Sequence, residues 1–220
     1  MKHFSRQHLD ELDRIYRINL INSCSGYKSA NLIGSKSEKG SPNLAVFSSV
    51  IHMGSNPPLL GFVLRPTKVK RHTYSNIKST GYYTINHIAH DKIEQAHHTS
   101  AKYGADISEF EVTGLKEVYR SGFHAPYVEG SPVQIGMKFI EEHFIAFNET
   151  ILVIGEMQHL HVQDHLLEQD GFVNLSKGRV ASICGLDGYT IPAGPKRYGY
   201  QRPKEIYDPK ATREKEWSQF

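Results

Sequence analysis

Asn43-Leu44-Ala45-Val46-Phe47-Ser48-Ser49 opens the stretch that decides the fold. It continues through Asn56-Pro57-Pro58, Arg65-Pro66, Arg71-His72-Thr73, Asn76-Ile77 and Tyr83-Thr84-Ile85-Asn86. The opening string is a strand end of small and hydroxyl-bearing residues. The short apolar run Leu59 to Leu64 that follows Pro58 reads as a core strand. Arg65, Lys68, Lys70, Arg71 and His72 then gather positive charge within eight positions, either as a solvated turn or as a seat for a small anion. A two-turn helix fits His72 to Ser79, closed by Gly81, and Tyr82 to Ile88 is the next strand. Thr73 at the helix start is either an N-cap or a hydroxyl offered to an anion together with the free amides of the first turn.

Outward from this stretch, Leu9, Leu12 and Ile15 or Tyr16 recur at helical spacing after Ser5, predicting an amphipathic helix over residues 6–16. Residues 17–23 and 27–35 read as strands split by Ser25-Gly26, residues 37–42 as a turn, and Ala45 to Met53 as a strand. Asp91 to His98 reads as a short helix. Beyond Tyr103 glycines and prolines break the pattern until two long β-branched runs, Val133 to Ile145 and Thr150 to Val162, meet across Asn148-Glu149 as an antiparallel hairpin. Strands, turns and a few short helices argue for a mainly β antiparallel barrel with helical insertions. Residues 1–184 are expected to form that domain. The polar segment 185–220, rich in Tyr, Pro, Arg and Lys, is expected as an arm packed on the barrel or on a neighbouring subunit.

At 220 residues one barrel domain accounts for the chain. The sequence has no apolar run long enough to span a bilayer and no signal-peptide pattern at residues 1–10, so a cytoplasmic protein is expected. Two cysteines, Cys24 and Cys184, are too few for a disulfide framework and read as reduced thiols. The +3 net charge comes from interspersed acidic and basic residues, which argues against nucleic acid as the main partner.

The quoted stretch resembles the flavin reductase-like family of FMN-binding split β-barrels. That family carries an Asn-x-Ala-x-x-Ser pattern, a Pro-Pro before a core strand, a Thr at a helix start and a strand ending in Asn. Thr99-Ser100-Ala101-Lys102 looks like a phosphate-side element of the flavoredoxin-like branch. The resemblance implies a six-stranded Greek-key split barrel that works as a homodimer with FMN bound near the interface. Carried over residue by residue, it assigns Asn43, Leu44, Ala45, Val46, Phe47, Ser48 and Ser49 to the ring edge and phosphate, Thr73 to the helix-start motif, and Ser100 and Lys102 to the phosphate side. Val46 stands where many relatives have Pro, which leaves the backbone donors in place.

Residue chemistry adds Arg65 as a phosphate partner, because an FMN phosphate needs hydroxyls, amides and a cation. The small side chain of Ala45 lets a flat ring approach the strand backbone. The implied activity is hydride transfer from NAD(P)H to flavin, in which the cofactor carries the chemistry and the protein positions the rings, so no catalytic residue is named. The alternative is an FMN-holding electron carrier without NAD(P)H activity of its own, and a third is a barrel interaction module that has lost its flavin. No Gly-x-Gly-x-x-Gly, P-loop, Gly-x-Ser-x-Gly or His-Glu-x-x-His string competes. His159, His161 and His165 are the best metal-ligand set among thirteen histidines. With no fourth ligand in sight, no metal is expected. Tyr189, Arg197, Tyr198, Tyr200 and Arg202 read as a packed tail or an aromatic, cationic lid.

Overall fold

A computed structural model describes residues 1–67, 71–104 and 107–199. Two helices open the chain, α1 (Arg6–Glu11) and α2 (Arg14–Cys24). Asp13 separates them: its carboxylate accepts the Ile15 and Tyr16 N–H groups at 2.9 and 3.1 Å, starting a new helix. The strand expected over 17–23 is therefore the body of α2. Its isoleucines suggested a strand, but the Asp13 cap starts a helix there, and a helix satisfies its own backbone groups.

The remaining strands are β1 (Tyr27–Ser29), β2 (Asn31–Lys36), β3 (Pro42–Phe47), β4 (Ile51–Ser55), β5 (Pro58–Leu64), β6 (Tyr82–His87), β7 (Glu117–Val118), β8 (Tyr127–Val128), β9 (Val133–Ile145), β10 (Thr150–Val162), β11 (Ser182–Cys184) and β12 (Gly188–Thr190). Among them lie the helices α3 (His72–Thr80), α4 (Ile93–His98) and α5 (Glu109–Thr113). Seven strands form one antiparallel sheet in the order β3-β2-β6-β9-β10-β5-β4. The two edge strands, β3 and β4, are consecutive in sequence, so the chain passes from one edge to the other through Ser48, Ser49 and Val50. Ser49 fastens that passage to β5, its hydroxyl accepting Val63 N–H at 3.1 Å and donating to Val63 C=O at 3.0 Å. The sheet is thereby curled into a split barrel. The expected strand 45–53 breaks at this passage into β3 and β4, which stand at opposite edges of the sheet.

The β9–β10 hairpin has the bounds read from the sequence, with Ile145 opposite Thr150. Alternation along the strands turns Ile33, Phe62, Tyr83, Ile85, Ile135, Met137 and Val153 into the barrel interior. Phe62 lies edge-on between Phe47 and Tyr83, with ring centroids 5.1 and 5.6 Å away. Gly155 leaves room for the Tyr83 hydroxyl, which a side chain there would strike. A second core outside the sheet joins Leu32, Leu44, Ile88, Ala96, Phe110 and Ile183 beneath α4 and α5. A small sheet, β1-β11-β12, closes the far side, and position 185 falls in the β11–β12 turn.

Candidate functional site

Helix α3 packs over β2, β3 and β6 and brings four buried polar side chains together. Asn43 on β3 donates through Nδ2 to Thr73 Oγ1 at 2.9 Å and to Ser35 Oγ at 3.5 Å, while Asn76 Nδ2 donates to the same Ser35 hydroxyl at 3.2 Å. Such a cluster is stable in the interior because its donors find acceptors. Thr73 is the second residue of α3, and the N-cap is Arg71, with no side-chain cap bond. The plain N-cap reading of Thr73 is thus replaced by a bridge from helix to strand, which leaves its O–H proton free to donate.

Arg71, absent from the residues assigned above, is the addition the structure makes. Its backbone starts the helix, its side chain is partly buried, and its enclosed Nε has no hydrogen-bond partner among the described residues. A cation with a spare donor beside the unpaired amides of a nine-residue helix fits a dianionic phosphate. Its signal in the sequence was its place two residues before Thr73, where Arg65 competed for the same role. Arg65 itself is exposed just past β5, and Lys68 and Lys70 lie outside the described residues.

The other assigned positions divide. Leu44 is fully buried and its N–H is spent on the Glu109 carboxylate at 3.0 Å, so this donor is closed to a ligand. Because that N–H points away from β2, strand alternation turns the Val46 backbone to the same open edge. Ala45 and Phe47 pair with Ile33 and Asn31, and Phe47 packs on the interior core. Ser48 and Ser49 are half-buried, with Ser49 engaged by Val63. Ser100 and Lys102 are exposed just after α4, which with α5 touches β3.

A second polar network lies on the outer face of the sheet, under the loop from Arg120 to Val128. Asn86 donates to Leu32 C=O and to Thr84 Oγ1 and accepts Val128 N–H at 3.0 Å. Thr84 donates to Pro126 C=O, and Arg120 Nε donates to Gln134 Oε1 at 2.8 Å. His159 and His161 do share a face, stacked 6.4 Å apart, and their neighbours are the Phe123 and Tyr127 rings. Burial, reinforced by Arg120 and His159, lowers the His161 pKa, and burial pushes Tyr127 up to about 12. Among the described residues no three His, Cys, Asp or Glu side chains could hold a metal ion together. In the tail, Arg197 forks onto Asp170 at 2.8 and 3.3 Å and lies over the Phe172 ring, and Tyr189 meets His97 at 3.2 Å. Tyr200 and Arg202 lie outside the described residues.

The fold and the helix start together define a split β-barrel with a polar, cationic seat at one end of α3. Residues 28–181 match the flavin reductase like domain, and the chain belongs to that family. A split-barrel protein of Shewanella frigidimarina, to which a flavin reductase role is ascribed, is 45% identical, with a TM-score of 0.88 over 91% of this chain and 100% of its own. Flavoredoxin of Desulfovibrio vulgaris is 22% identical with a TM-score of 0.66, covering 81% of this chain and 92% of its own. An FMN-binding protein of Thermus thermophilus is 15% identical with a TM-score of 0.67, covering 80% and 92%. The last two share the fold. No helix among the described residues is long and apolar enough to cross a membrane.

Proposed function

We propose that this chain is a cytoplasmic FMN-binding oxidoreductase, an NAD(P)H-dependent flavin reductase. The observation that carries the reading is Arg71 at the α3 N-cap, with an enclosed donor unpaired among the described residues, next to the Asn43–Thr73 bond. Arg71, the Thr73 hydroxyl and the first-turn amides of α3 would hold the phosphate, with Arg65, Ser100 and Lys102 as outer partners. The open edge of β3 at the Val46 backbone, with the small Ala45 beside it and Ser48 beyond, would border the ring. When bound, FMN supplies a hydride acceptor at N5, and the chain's contribution is to orient the rings and exclude water. The buried Asn43–Thr73–Ser35–Asn76 cluster keeps β3 and α3 in fixed relation, so ring edge and phosphate seats keep their spacing.

The working form in this reading is a homodimer. Ile140, Phe144, Ile145 and Phe147 at the end of the β9–β10 hairpin, with Ile51 and Met53 on β4, expose apolar surface of the kind that subunits bury. Anaerobic stopped-flow mixing of the FMN-loaded protein with NADH and with NADPH tests the activity. Rapid bleaching of the flavin absorbance supports the reductase. A flavin that stays oxidised, yet accepts electrons from dithionite, favours the FMN-binding electron carrier, for which the kinship in fold with flavoredoxin is the supporting observation.

A further inference from the structure

We propose that Cys24 and Cys184 form a redox-active thiol pair that closes to an intramolecular disulfide under hydrogen peroxide. They are the chain's two cysteines, 160 positions apart, and the fold delivers both to the C-terminal turn of α2. Cys24 Sγ donates to Ile21 C=O at 3.3 Å, and Cys184 Sγ donates to Ser23 C=O at 3.7 Å, two carbonyls of the same helix end. Ser23 immediately precedes Cys24, so Cys184 reaches to within about one side-chain length of the Cys24 backbone. The strand register holds it there: Cys184 on β11 stands opposite Tyr27 on β1, and Gly26 in the left-handed region turns the chain from the helix into that strand.

Both thiols are free and at least partly open to solvent, Cys24 more so than Cys184. Lys28 Nζ donates to Asn22 C=O at 2.9 Å and to Ser25 Oγ at 2.8 Å, which ties β1 to the same turn and holds the helix end against the strand register. The chemistry balances with one oxidant. One thiolate attacks peroxide, breaking its O–O bond to give a sulfenic acid and hydroxide, which takes a proton to become water. The second thiol then attacks the sulfenic sulfur and releases a second water, so two thiols and one peroxide yield one disulfide and two waters. Bond formation needs Cys24 to rotate off the Ile21 carbonyl, and no core residue moves with it, since α2 buries none. The two cysteines flank the family-matched segment 28–181, so the disulfide would tie the helical N-terminal segment to the strands that follow the barrel.

The test is peroxide treatment of the full-length protein, alkylation of remaining thiols, and intact and peptide mass spectrometry. The proposal predicts that both thiols disappear together, that the monomer mass falls by two hydrogens, that one peptide pair links 24 to 184, and that dithiothreitol restores both. In C24S or C184S the remaining thiol should instead gain oxygen. Independent oxidation of the two wild-type thiols, or disulfides only between chains, would overturn it. A wild-type link that forms equally fast in urea would also overturn it, because the pairing would then owe nothing to the fold.

Discussion

Two asparagine-centred networks are built on the same sheet, and they end differently. The outer one, around Asn86, is closed: Leu32, Pro126 and Val128 backbone groups take up the side chains, and Arg120 at its border is paired to Gln134. The one under α3, around Asn43, is saturated within but meets at its rim a helix start and Arg71, whose Nε has no partner among the described residues. Polar burial alone thus does not mark a site. The closed network fastens a loop onto the barrel, while the open one borders a donor that finds no partner among the described residues.

The sharpest way to break this contrast is Asn86→Ala. It strips the buried Val128 N–H of its partner and leaves Leu32 C=O only its ladder bond to the Asn86 backbone; a buried group left unpaired costs about 1–3 kcal/mol and a lost side-chain bond about 1 kcal/mol, so urea unfolding should show a loss of roughly 2–4 kcal/mol. Flavin affinity of the protein that remains folded should be unchanged. A comparable loss of affinity at equal stability would mean the outer network also serves the ligand.

Next in size is a pH effect from the same sheet end. His87 has an enclosed Nδ1 without a partner among the described residues, and burial depresses its pKa to about 4 from the usual 6.5. Between those values the unfolded chain binds more protons than the folded one, so stability is full above about pH 6.5 and is lost as pH falls toward 4. The loss is at most about 3 kcal/mol. Urea midpoints between pH 4 and 8 measure it, and His87→Asn should flatten this part of the profile.

Thr73→Val sharpens the contrast from the other side. Removing the hydroxyl leaves Asn43 Nδ2 with only its long bond to Ser35, which should cost about 1–2 kcal/mol of stability. FMN affinity should fall by about tenfold as well, since one hydroxyl donor to the phosphate goes with it. Calorimetric unfolding and fluorescence titration on the same variant separate the two losses.

What the sequence made legible follows from the range of the interactions. The β9–β10 hairpin was readable because its β-branched runs and its turn are local, and α3 because Gly81 ends it in the left-handed conformation. α2 was misread because Asp13 restarts the helix within a pattern of β-branched residues. The break at Ser48 to Val50 was invisible because it depends on Val63, fourteen positions away. Within the site, Asn43 and Thr73 were found through motif spacing, but their bond to each other, the capture of the Leu44 amide by Glu109 and the difference between exposed Arg65 and enclosed Arg71 arise only from tertiary packing.

That last difference gives the smallest effect on the fold and the most pointed on the ligand. Arg71→Ala should leave stability within about 0.5 kcal/mol, because the side chain forms no cap bond. It should weaken FMN by roughly one to two powers of ten, the worth of a charge-assisted phosphate bond. Arg71→Lys should restore part of that, and Arg65→Ala should weaken FMN less than Arg71→Ala does.

The most direct measurement is a paired fluorescence titration of the wild-type protein with FMN and with riboflavin, which differ only in the phosphate. A phosphate seat at the start of α3 predicts FMN tighter by at least about tenfold, with Arg71→Ala erasing that advantage and sparing riboflavin. Equal affinities for the two flavins in the wild type would contradict it.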